Sequence, residues 1–131
     1  MASPFQAAPN PCRLLVIAPD EFAEALLPLI LHKNRTGMPA HLVKLSEIVG
    51  TSADPSTHPL AIKKVIAQGH EQFGVWYVML AGDASKIPVR HRFVREQDGG
   101  AEEGMVGTYN PSDNYYANLY APGGKSAGFS T

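Results

Sequence analysis

The chain has 131 residues, room for one domain built on a single core. Hydrophobic residues make up 44% and charged residues 18%, a globular balance, and the net charge of −1 gives no basic field for nucleic acid. No apolar run approaches the ~18 residues needed to cross a bilayer, and the single cysteine, Cys12, excludes an internal disulfide and a cysteine-based zinc site.

Residues 1–11 carry Pro4, Pro9 and Pro11 and read as a loose entry arm to one domain over residues 12–121. Met1 to Phe5 has no charged segment leading into an apolar one. No signal peptide is expected, and the chain as it stands reads as cytoplasmic. Arg13 to Ala18 is a near-continuous apolar run, the first strand. Asp20 after it suits a helix N-cap, and Glu21 complements the helix dipole. Phe22, Leu26, Leu29, Ile30 and Lys33 recur at helical spacing with Ala25, and Gly37 is the stop. Pro28 interrupts this helix, and a kink is expected because the apolar face keeps its phase. Ala40 to Leu45 alternates and predicts a second strand near a sheet edge, followed by a polar loop from Ser46 to Thr57.

Pro59 opens a second long helix. Its buried face is read as Ile62, Val65, Ile66, Gly69 and Phe73, and its wet face as Lys63, Lys64, Gln68, Glu71 and Gln72. Gly74 closes it. Val75 to Ala81 is an unbroken apolar run that reads as a central strand covered on both faces, and Gly82-Asp83 turns the chain out of the sheet. This β-α-β-α-β order predicts a three-layer α/β fold with a mostly parallel sheet in the order 2-1-3. Val89 to Glu96 alternates and predicts an antiparallel edge strand. Its expected partner is Asn114 to Tyr120, across a Gly- and Glu-rich loop from Gln97 to Gly107. Residues 122–131 read as a flexible tail.

The chemistry available in these elements is sparse. No Gly-rich loop joins a strand to a helix, and the acidic turn at Asp20 would repel a phosphate. The five histidines, His32, His41, His58, His70 and His91, show no metal-ligand spacing, and no serine sits in a Gly-x-Ser-x-Gly elbow. Cys12 precedes the first strand and reads as a small packed thiol. Asp20, Asp83 and Asp113 fall at strand ends, where parallel α/β sheets carry their sites. Such carboxylates could hold Mg²⁺ or Ca²⁺ through oxygen ligands. Each also suits a cap or a turn. Arg90, Arg92 and Arg95 alternate on the edge strand, which discourages strand-to-strand aggregation. Arg90 and Arg92, with Tyr115 and Tyr116 on opposite faces of the last strand, make a candidate partner surface.

Several segments together carry a resemblance. They are Leu14 to Phe22, the helix with Leu27-Pro28-Leu29 and Lys33, and Gly37 before a strand ending Leu45-Ser46-Glu47-Ile48. Ile62 to Ile66, Trp76 to Asp83 with Ile87-Pro88, and Ser112 to Ala117 follow in order. Over residues 13–120 the chain resembles the N-terminal part of the gingipain-type cysteine peptidases, peptidase family C25 of the caspase-like clan. The resemblance implies the smaller first subdomain of a two-subdomain, caspase-like (flavodoxin-like) α/β unit, and it accounts for Pro28. In that family the histidine, usually followed by glycine, and the nucleophilic cysteine lie in the second subdomain. Neither Cys12 nor any histidine here matches them. The resemblance therefore implies a catalytically silent half-domain without the Cys-His dyad. Members of the family are typically secreted. The expected partner is the second subdomain or a second copy of this chain, with no nucleic acid and no membrane. A stand-alone small-ligand, divalent-cation or protein-interaction module is the alternative.

Overall fold

A computed structural model describes residues 3–50, 54–95 and 107–130. The chain runs through β1 (Leu14–Ala18), α1 (Asp20–Arg35), β2 (Ala40–Lys44), α2 (Leu45–Val49), a 3-10 turn (Pro55–Thr57) and α3 (His58–Phe73). β3 (Tyr77–Leu80), β4 (Arg90–Arg95), β5 (Gly107–Ser112), α4 (Asn114–Ala117) and a second 3-10 turn (Lys125–Ala127) complete it. β2, β1 and β3 form an all-parallel sheet in the expected order β2-β1-β3, and the helical crossovers account for the parallel pairing. β4 and β5 pair antiparallel in a sheet of their own, Arg90 opposite Ser112 and Arg95 opposite Gly107.

β1 is the centre of the molecule, and all five of its residues are buried. Strand alternation sends Leu15 and Ile17 to one face and Leu14 and Val16 to the other. The first face is covered by α3 through Ile62 and Ile66, together with Val75, Ile87, Tyr116 and Phe5. The second is covered more thinly, by Leu26 and Ile30 of α1 with Met38 and Leu42. Phe5, from the entry arm, is 2% exposed and stacks on Phe73 with ring centroids 4.7 Å apart.

The helices follow their sequence signals with local differences. α1 continues through Pro28 as one helix. Its N-cap is Pro19 rather than Asp20, which begins the helix. Asp20 instead accepts the Ser46 backbone N–H at 3.2 Å. Phe22 and Ala25, read on the apolar face, are exposed, and Ala23 is the buried residue of the helix. The expected loop after β2 opens with α2, which Glu47 starts by accepting the Lys44 N–H at 2.8 Å. Asp54 caps the turn that leads into α3. Gly74 ends α3 at φ 75°, a left-handed conformation open to glycine at little cost.

Three sequence readings are corrected here. Trp76 to Met79 are exposed, Trp76 at 72%, so β3 is an edge strand with uncovered faces and not a buried central one. An unbroken apolar run has the same pattern whether its covering layers are present or still to come. Residues 114–117 form α4, and the antiparallel partner of β4 is β5, from Gly107 to Ser112. Ser112 Oγ accepts the Asn114 N–H at 3.1 Å and turns the chain into that short helix. Lys63, read as solvated, is 1% exposed. The Gln97 to Gly107 loop otherwise lies outside the described residues.

Candidate functional site

The strand-end carboxylates occupy separate settings. Asp20 begins α1 beside β2, and its hydrogen bonds from Ser46 hold its carboxyl below the ordinary 3.8. Asp83 follows β3 and accepts the Ser85 N–H at 2.9 Å. Hydrogen bonds from Ser85, first of all from its side chain, lower the Asp83 pKa as well. Both are exposed carboxylates held in their charged form. Asp83 and Asp113 line one cavity of about 180 Å³ with Ile87 and Val89, and Asp20 is not among its walls. Among the described residues no three His, Cys, Asp or Glu side chains come together to hold a metal ion. The ion pair near this end of the sheet joins Lys86 and Glu21.

The larger feature is the outer side of β3. Tyr77 N–H reaches the Arg13 carbonyl at 2.9 Å and Ala81 N–H reaches the Ile17 carbonyl at 2.9 Å. The register sets Met79 opposite Val16, in the same phase. Odd-numbered residues therefore bond β1, and Val78 and Leu80 turn their N–H and C=O groups outward. Both faces beside this edge are apolar. Trp76 (72%) and Val78 (36%) lie on the α3 side, and Tyr77 (58%) and Met79 (38%) on the α1 side. On the α3 side, Trp76, Val78 and Leu80 wall a groove of about 820 Å³ whose opposite wall is the chain from Tyr116 to Gly124. Unpaired ladder groups between two bare apolar faces are what a sheet presents where another strand is to be added.

The four residues read as a partner surface separate. Tyr116 is buried at 3% exposure, donates to the Pro88 carbonyl and has its pKa pushed up to about 12, chiefly by burial. It is a core residue, which corrects the reading of opposed tyrosines on a strand. Tyr115 is half-buried and meets Tyr116 edge to face at 5.5 Å. Arg90 is exposed, with its guanidinium 5.0 Å from the Tyr115 ring centre. Arg92 lies on β4, and its side chain is outside the described residues. Sequence reasoning missed Lys63, whose ammonium lies 4.2 Å from the centre of the same Tyr115 ring. No local signal marks it, because the two rings beside its ammonium, Tyr115 and Phe129, come from more than 50 positions away.

Nothing among the described residues activates Cys12. Its side chain is 0% exposed, and its thiol donates to the Leu14 carbonyl at 3.4 Å. Burial pushes its pKa up, opposite to what a nucleophile needs. The nearby His41 ring is engaged instead with the Pro4 carbonyl, Nε2 at 2.7 Å. His70 Nδ1 is likewise held by the Val75 carbonyl at 2.8 Å.

Comparison with protein families matches residues 7–123 to the model of peptidase family C25. Searches of curated proteins and of solved structures give no match. The family match spans the three-stranded sheet, its helices, the β4-β5 hairpin and α4.

Proposed function

Because this chain belongs to peptidase family C25, we propose that it is a catalytically silent N-terminal subdomain that supplies a gingipain-like peptidase with a docking edge. The observation that carries this reading is the outer side of β3, where outward ladder groups at Val78 and Leu80 lie between exposed Trp76, Tyr77 and Met79. A strand from the second subdomain would pair there, and its flanking layers would cover both faces. The gain is of the usual kind, apolar area removed from water at about 25 cal/mol per Å². Without that subdomain the same edge would accept a second copy of the chain.

The chemistry of Cys12 supports the silent half of the proposal. A peptidase cysteine works as a thiolate beside an imidazole base, with oxyanion donors in front of it. Cys12, the one cysteine in the sequence, has a covered thiol with a raised pKa. The cysteine-histidine pair of the reaction would then come from the second subdomain.

A cleavage assay on the chain with unfolded protein and short peptide substrates, with and without a thiol-alkylating reagent, tests this. No cleavage above the blank is expected, and native Cys12 should resist alkylation until the protein unfolds. Thiol-dependent cleavage that Cys12→Ser abolishes would overturn the proposal.

A further inference from the structure

Lys63 is a charged side chain in an unusual place. It is 1% exposed, and lysine is almost never so covered unless it is paired. Among the described residues no carboxylate pairs with it. Its ammonium lies beside two aromatic rings, 4.2 Å from the centre of Tyr115 and 5.5 Å from the centre of Phe129. A second cation, Arg90, lies over the same Tyr115 ring at 5.0 Å. The Tyr115 hydroxyl is itself buried without a hydrogen-bond partner. α3 and β4 thus each bring a cation to the ring of Tyr115 on α4, whose own hydroxyl has no partner among the described residues. Ring faces attract cations by about 0.5–2 kcal/mol each. That is less than the several kcal/mol an uncompensated buried ion costs.

We propose that Lys63, Arg90 and the Tyr115 hydroxyl form a receptor for one carboxylate group. Exposed Arg90 is its open end and covered Lys63 its closed end. The guanidinium fork matches a planar carboxylate, which can share its second oxygen with the ammonium or the hydroxyl. A single negative charge offsets the mutual repulsion of the cations. That repulsion, after burial, is a cause of the lowered Lys63 pKa. The acid nearby, Asp113, acts on Tyr116 and is not among the groups that act on Lys63. This assignment stands independently of the β3 edge.

Two probes separate a free carboxylate from an acidic side chain: acetate, and N-acetyl-glutamate amide with its glutamine counterpart. Each is titrated at ionic strength matched with chloride, following thermal unfolding and the NMR resonance of the Lys63 ε-methylene. Acetate at about ten times its half-saturating concentration should raise Tm by about 5 °C and move the Lys63 pKa back up. A response to the glutamate amide alone would identify an acidic side chain as the natural occupant. Both responses should vanish in Lys63→Met, which keeps the aliphatic stem, and weaken at least tenfold in Arg90→Gln. In chloride alone, Lys63→Met should be at least as stable as the native chain. No response to either carboxylate, or one that survives Lys63→Met, would overturn the proposal.

Discussion

Proline placed at two successive positions of β3 tests which of its backbone groups face outward. Met79→Pro deletes the N–H that reaches the Leu15 carbonyl in the register of β1 and β3. The lost bond is worth ~1 kcal/mol, and the Leu15 carbonyl, left buried without a donor, adds ~1–3 kcal/mol. The expected loss is therefore about 2–4 kcal/mol. Val78→Pro deletes an N–H that points away from β1, and proline is tolerated at such edge positions. Its cost should be about 1 kcal/mol or less, from backbone adjustment alone. The side chains make a fair pair, since Val78 is 36% and Met79 38% exposed. Urea unfolding followed by far-UV circular dichroism reads the difference. With a slope of about 1.5 kcal/mol/M, the two midpoints should separate by roughly 1 M or more. Equal midpoints, or a Val78→Pro protein that is the less stable, would refute the assigned edge.

Other substitutions probe the rest of the account. Phe5→Ala removes a ring that is 2% exposed and stacked on Phe73, and should cost ~3 kcal/mol in the same urea experiment. Tyr116→Phe leaves the Pro88 carbonyl without its donor and should cost ~1–2 kcal/mol. The Tyr116 pKa of about 12 lies above the ordinary 10, so the folded state favours the neutral phenol. Its stabilising contribution is complete below pH 10 and is lost as pH rises toward 12, so an absorbance titration should show one tyrosine ionising late. Asp83 works at the other end of the scale. Its carboxyl is held below 3.8, so its contribution is present above that pH and fades as pH falls through the lower folded value. Ser85→Ala should move the Asp83 midpoint back toward 3.8 in an NMR titration.

The parts of the fold legible in the sequence are those fixed by local periodicity. β1 announces itself as Leu14 to Ala18, and α3 as a helical stripe between Pro59 and Gly74. Their alternation with the other elements accounts for the parallel pairing in the β2-β1-β3 sheet. What the sequence hides depends on contacts from distant positions. Lys63 falls on the polar side of its own helix, and its ammonium meets Tyr115 and Phe129, rings from the far end of the chain. Tyr115-Tyr116 has strand-forming side chains, yet the Tyr116 hydroxyl reaches Pro88 from a helical turn. The run from Val75 to Ala81 reads as a strand, while its exposure depends on layers that lie outside the local pattern. Asp20, Asp83 and Asp113 were recognisable as strand-end acids. Which of them share a cavity was set by how the β4-β5 hairpin and α4 return to β3.

Amide hydrogen exchange at Val78 and Leu80 tests most directly the claim that this chain exists to offer an edge. Met79 and Ala81, bonded to β1, are the internal reference. In dilute protein, Val78 and Leu80 should exchange like solvated amides while Met79 and Ala81 are protected. At concentrations where light scattering shows self-association, protection should spread to Val78 and Leu80. Protection of all four amides in the dilute monomer, or outward amides that stay open in every associated state, would contradict the account.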